Sequence, residues 1–225
     1  MIKAVIFDLD GTLLNRDASI QKFIVEQYER LNKWVGHIPR EKYISRFIEL
    51  DSRGYVWKDK VYQQMVNEFN INKITWEGLL QDYKDEFKYS CVPFPNLIKI
   101  LDILKSRSIR LGMITNGKGQ FRMTNIEALG IKNYFDTILI SEWEGIKKPN
   151  PKIFKKALSQ LNVSANESIY VGDHPLNDIK GAQNIGMKGI WKKDIQWVDV
   201  EADYVIDDLK ELLPIIDDKL TRSGI

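Results

Sequence analysis

The sequence predicts an α/β protein: a doubly wound, Rossmann-like parallel sheet core carrying a smaller all-helical domain. Three observations predict it. Short, continuous apolar runs end in polar or small residues, as strands covered on both faces of a parallel sheet do. Segments of helical periodicity separate those runs. One long interval, residues 16–90, shows helical spacing and no strand pattern at all.

Taken along the chain, the first strand is Ala4-Val5-Ile6-Phe7, which delivers Asp8. The helical interval then opens with Ile20, Phe23, Ile24, Tyr28 and Leu31. Tyr43, Phe47 and Leu50 mark a further helix, followed by Val61, Tyr62, Met65, Val66 and Phe69. Trp76, Leu79, Leu80, Tyr83 and Phe87 mark the last, each set lying on one helix face. The interval is bounded by Leu14-Asn15 and by Val92-Pro93-Phe94-Pro95, where the prolines stiffen the return. The expected domains are therefore a core of residues 1–15 and 91–225 and a cap of residues 16–90.

Beyond it, Leu97, Leu101 and Leu104 predict a helix, and Leu111-Gly112-Met113-Ile114 a strand ending at Thr115-Asn116. Ile126 and Leu129 mark the next helix, closed by Gly130. Thr137-Ile138-Leu139-Ile140 is a third strand. Asn150 as N-cap and Pro151 at the first helical position start a helix whose apolar face is Ile153, Phe154, Ala157, Leu158 and Leu161. Ile169-Tyr170-Val171 is a fourth strand, leading to Gly172-Asp173.

Composition narrows the function. The 225 residues carry 33 Lys plus Arg against 31 Asp plus Glu, a net charge of +2. So small a surplus, with a pI near 8.4, argues against nucleic acid or a membrane surface as partner. Cys91 is the only cysteine, which excludes an internal disulfide and a thiolate metal cage. No apolar run reaches the ~18 residues of a membrane span, and no signal-peptide pattern opens the chain. The expectation is a cytoplasmic protein.

Ligands of open α/β sheets bind outside the carboxyl ends of the strands. Asp8, Asp10, Thr115, Asn116, Lys148, Asp173 and Asp178 all fall there, so segments distant in sequence point at one crevice. Carboxylates and a lysine, without a histidine cluster or a thiolate, form a hard oxygen site suited to Mg²⁺. A divalent ion and Lys148 would offset the charge of a bound phosphate. Asp8 is then the candidate nucleophile, forming an aspartyl-phosphate. Asp10, two residues on, would protonate the leaving oxygen and afterwards deprotonate the attacking water. Gly11 lets the loop turn sharply towards the phosphate, and Thr115 would bind a phosphate oxygen.

These residues resemble the motifs of the haloacid dehalogenase superfamily, on its phosphatase branch. The first is Asp8-Leu9-Asp10-Gly11-Thr12, the second Thr115-Asn116, the third Lys148-Pro149, and the fourth Gly172-Asp173 through Asp178. Their order, with a helical cap inserted after the first, is also similar. The resemblance selects Lys148 over Lys147, because the family's lysine directly precedes this proline. It implies that Asp8 and Asp173 bind Mg²⁺ through side chains and Asp10 through its backbone carbonyl, and it gives Asp178 a supporting role near the metal or Lys148.

The expected function is hydrolysis of a small phosphate monoester, the cap closing over the substrate and selecting the leaving group. Thr115, Asn116 and Lys148 are the expected substrate contacts. A phosphomutase acting on a sugar phosphate shares every core residue. A 2-haloacid dehalogenase needs neither magnesium nor a proton donor such as Asp10. A non-catalytic binding module would be expected to have lost the nucleophile or a metal carboxylate. His174 reads as a loop hydrogen-bonding residue and His37 as a surface residue at a cap helix end. Arg53, Trp57 and Lys58 in the cap read as a solvated helix end, with contact to a substrate as the alternative. The remaining tryptophans read as packing residues.

Overall fold

The computed structural model describes residues 1–221, with side chains described through Asp217. Its chain divides into two compact units. One combines residues 1–15 with the chain from Pro93 onward, and the other is Arg16–Val92.

In chain order, β1 (Ala4–Phe7) is followed by the helices of the second unit: α1 (Arg16–Arg30), α2 (Asn32–Val35), α3 (Arg40–Asp51), α4 (Lys58–Glu68) and α5 (Trp76–Glu86). The first unit resumes with α6 (Leu97–Ser106), β2 (Arg110–Thr115), α7 (Gly119–Ala128), β3 (Thr137–Ile140), α8 (Ser141–Glu144) and α9 (Pro151–Leu161). It ends with β4 (Ser168–Gly172), α10 (Gly181–Gln183), β5 (Lys188–Lys192), β6 (Tyr204–Ile206) and α11 (Leu212–Thr221).

The six strands form one parallel sheet in the order β3-β2-β1-β4-β5-β6. From β1 the chain steps to β2 and β3 on one side, then crosses back to β4 and proceeds the other way. The switch in direction therefore lies between β1 and β4, where a crevice opens at the carboxyl ends. Phe7 pairs with Met113 on one side and Val171 on the other, so the residues after all three strands emerge at one level.

Every residue of β1 and β4 is buried, which explains why their sequences are continuous apolar runs. The amphipathic face of α9 (Ile153, Phe154, Ala157, Leu158, Leu161) packs with Ile6, Ile114, Leu139 and Tyr170 of the sheet. Asn150 accepts a hydrogen bond from Lys152 N and Pro151 occupies the first turn, so that helix starts where its sequence signals place it. Two strands, β5 and β6, were not among those the apolar runs predict. At the point of insertion, Leu14 pairs antiparallel with Pro93, and Phe94 N–H donates to Leu13 O at 2.9 Å.

The second unit is wholly helical among its described residues and is built around aromatic side chains. Tyr28 packs at a tilt against Tyr43, Phe47 against Tyr62 and Phe23 against Phe87, while Phe23 meets Tyr83 edge to face. Gln27 sits buried among them. Its carbonyl accepts from Tyr43 and Tyr62, and its amide donates to Leu79 O and Asp82. Lys58 departs from expectation: it is buried, paired with the buried Asp51, which also accepts from Arg16 at 2.6 Å. It is an interior ion pair and not a solvated helix end. His37 is exposed, as expected, with Nε2 3.0 Å from Phe69 O. No helix among the described residues is long and apolar enough to cross a membrane.

Candidate active site

The site is assembled from four strand ends of the first unit. Asp8 follows β1 directly and is 7% exposed. Its carboxylate accepts from Lys148 Nζ at 2.5 Å. Lys148, brought in by the loop between α8 and α9, also donates to Asp178 Oδ1 at 2.6 Å and to the Tyr170 hydroxyl at 2.9 Å. Its ammonium is thus held by three oxygens in a buried position. Lys147 is the exposed neighbour.

Asp178 is delivered by a turn of π-helix, Pro175–Lys180, a deviation that commonly marks functional sites. His174 caps that turn: its Nδ1 accepts from Leu176 N and Asn177 N, both at 3.1 Å, while its own N–H donates to Asp178 Oδ2 at 3.0 Å. A nitrogen that accepts two N–H bonds carries no proton, and burial also lowers the pKa of the His174 ring, favouring its neutral form. The expected hydrogen-bonding role is what the ring performs.

Asp173 follows β4, with its backbone oxygen accepting from Trp191 Nε1 at 2.8 Å. Oxygens of Asp8, Asp173 and Asp178 all lie within 4.8 Å of one another. Gly11 makes room for this cluster. Its φ is +76°, and a Cβ there would fall 2.3 Å from Asp173 Oδ2, so both the turn and the close approach require glycine.

Three carboxylates against one ammonium leave a buried excess of negative charge. Burial pushes the Asp8 carboxyl up to about 7, with Asp178 and Asp10 adding repulsion and Lys148 pulling the other way. Burial, then Asp8 and Asp178, raise Asp173 well above the carboxylate range. Burial alone would lower Lys148, but Asp178 and Asp8 outweigh it and hold the amine charged. Buried oxygens, closely grouped and short of positive charge, fit a hard divalent cation such as Mg²⁺.

The other sequence-predicted residues are placed as follows. Thr115 ends β2 and is buried. The Asn116 side chain is spent on the backbone of Lys148, donating to its O at 3.1 Å and accepting from its N at 2.9 Å. It therefore fixes the lysine's loop. The carboxylate of Asp10 stands outside the metal-type cluster, 2.5 Å from Arg122 Nη2. Two residues escaped the sequence reading. Tyr170 looked like an ordinary strand apolar, and Arg122 lies on a helix face with no motif around it.

Comparison with known proteins is consistent with this geometry. The family description "Haloacid dehalogenase-like hydrolase" matches residues 5–192. Glyceraldehyde 3-phosphate phosphatase of Pyrococcus furiosus is 31% identical over 226 residues, covering 96% of this chain and 93% of its own. A crystal structure of a HAD phosphatase from Thermococcus onnurineus superposes with a TM-score of 0.67 at 27% identity, covering 96% of this chain and 98% of that one. The magnesium-bound HAD-hydrolase YfnB of Bacillus subtilis shares the fold, with a TM-score of 0.75 at 22% identity over 96% and 99% of the two chains. The chain belongs to the haloacid dehalogenase-like hydrolases.

Proposed function

Taking that membership as premise, we propose that this protein is a magnesium-dependent phosphatase of small phosphate monoesters. Glyceraldehyde 3-phosphate is the first substrate to test, because it is named in the Pyrococcus relative. One observation carries the reading: Asp8, just after a central strand, has its carboxylate clustered within 4.8 Å of those of Asp173 and Asp178 and is gripped by Lys148.

In this reading Asp8 attacks phosphorus, and an aspartyl-phosphate forms as the ester P–O bond breaks. Asp10 gives its proton to the departing alkoxide, then takes one from the water that cleaves the acyl phosphate. Lys148 offsets phosphate charge and orients Asp8, while Asp178, Tyr170 and Asn116 fix the lysine in place. Thr115 offers a hydroxyl to a phosphate oxygen. The Asp8 and Asp173 carboxylates and the Asp10 backbone carbonyl would hold Mg²⁺. When bound, the ion supplies charge neutralisation between carboxylates and phosphate and polarises the phosphoryl oxygens. An acid group beside the nucleophile suits an alkoxide leaving group, which needs a proton, better than a halide, which does not.

The test is acid quenching during turnover of labelled substrate with Mg²⁺. Label should appear on the peptide containing Asp8, and Asp8→Asn should show neither label nor turnover. Full activity in that variant would refute the assignment.

A further inference from the structure

Beyond the residues given roles above, the site contains a closed ring of contacts. Asp8 is bonded to Lys148 Nζ at 2.5 Å. The Lys148 backbone is bonded twice to the Asn116 side chain, at 2.9 and 3.1 Å. Asn116 O accepts from Arg122 Nε at 3.1 Å, and Arg122 Nη2 lies 2.5 Å from Asp10 Oδ2. The path returns to the loop where it began, two residues from its start.

The course of Arg122 is built into the backbone. It runs across Gly117, whose φ is +144°, and a Cβ at that position would lie 2.5 Å from Arg122 Nε. Only glycine both adopts that conformation and leaves the arginine its path. The Arg122 side chain is 19% exposed, with two of its guanidinium nitrogens committed in different directions. A flexible lysine in its place would lack the planar fork that makes both contacts.

Asp10 shows the effect. One oxygen is fixed by the guanidinium; the other, Oδ1, is buried and has no hydrogen-bond partner. A buried acceptor left unpaired is uncommon and calls for an explanation. An acid that must hand its proton to a substrate oxygen needs this division, with one oxygen anchored and the other uncommitted.

We propose that Arg122 is a positioning residue for proton transfer to the leaving group, locking Asp10 in register with Asp8 through Asn116 and Lys148. The inference rests on the phosphatase reading. In the first step the Asp8–phosphorus bond forms, the phosphorus–ester oxygen bond breaks, and the proton on Asp10 Oδ1 passes to that oxygen. Holding the acid in place is worth most where the leaving group is a poor one, since misplacement by about 1 Å costs on the order of a hundredfold.

The experiment compares wild type, Arg122→Met and Arg122→Lys with Mg²⁺ on two esters. Glyceraldehyde 3-phosphate releases an alkoxide, which needs the proton; p-nitrophenyl phosphate releases a stabilised phenolate, which does not. We expect Arg122→Met to lower kcat on the alkyl phosphate by about a hundredfold with KM changed less than about threefold. The first-turnover burst of p-nitrophenolate should fall by no more than about threefold. Arg122→Lys should recover part of the alkyl-phosphate kcat. Equal losses on both esters, or no loss on the alkyl phosphate, would overturn the proposal. If Arg122→Met does not fold, the same comparison of esters in Arg122→Lys decides it. A wild-type protein inactive on both esters would refute the phosphatase reading, and this proposal with it. An active wild type with an indiscriminate Arg122 variant refutes this proposal alone.

Discussion

Replacing Asp8 with asparagine should stabilise the metal-free protein above neutral pH while abolishing its turnover. The reason is the charge crowding at the strand ends. The Asp8 carboxyl, ordinarily near 3.8, is pushed up to about 7 by burial and by its acidic neighbours. Between those two values the folded state binds a proton that the unfolded chain has released. Stability contributed by this group is therefore intact below about pH 4 and is lost as pH rises through about 7. Each unit is worth about 1.36 kcal/mol, so the three-unit displacement sets an upper bound of about 4 kcal/mol. Asp173, raised by the same crowding, titrates together with Asp8, so a gain of about 2–4 kcal/mol is expected at pH 8. Asparagine keeps an oxygen for Lys148 and nearly the same volume, so little packing is lost. The assay is urea unfolding of both proteins in EDTA from pH 4.5 to 8.5. The variant's advantage should be smallest at the acid end, about 1 kcal/mol at pH 4.5, grow up to about pH 7 and level off above it. A variant no more stable at pH 8, or an advantage that does not change with pH, would refute the reasoning. Most substitutions destabilise, so a gain in this direction is diagnostic.

Two further outcomes follow from the same electrostatics and from the helical unit. Apparent Mg²⁺ affinity should rise about tenfold per pH unit up to about 7 and flatten above, because the ion must displace a proton from Asp8; calorimetry in buffers of different ionisation enthalpy would count that proton, and an affinity constant from pH 5.5 to 8 would contradict it. Lys58→Met should destabilise the helical unit by about 3 kcal/mol, since it strips one partner from the buried Asp51. The readout is hydrogen exchange of α3 and α4, where unchanged protection would show that Arg16 alone satisfies the carboxylate.

Much of this architecture was legible in the sequence because its signals are local. The apolar runs before Asp8, Thr115 and Asp173 are strands whose neighbours in the sheet put their ends at one level. The Asn150-Pro151 pair starts a helix where its chemistry says it should. What escaped was short or depended on distant partners. β6 is three residues long, and β5 is framed by Lys188 and Lys192, so neither shows an apolar run of useful length. Lys58 carries a charge that sequence patterning assigns to solvent, and only the folded position of Asp51 explains its burial. Arg122 is 112 positions from Asp10, and nothing in its own helix marks it. Tyr170 read as an apolar strand residue because its hydroxyl gains meaning only when Lys148 arrives beside it.

The junction at Leu14 and Pro93 has an evolutionary and practical meaning. The chain departs from the sheet-bearing unit and re-enters it through residues that are paired with each other. To that unit, the intervening 77 residues, 16 through 92, are equivalent to a hairpin turn. Loop-closure entropy grows only with the logarithm of length, so an insert of almost any size can be spliced there at nearly constant cost. The catalytic scaffold can thus stay fixed while the inserted module is exchanged, lengthened or trimmed to a few residues.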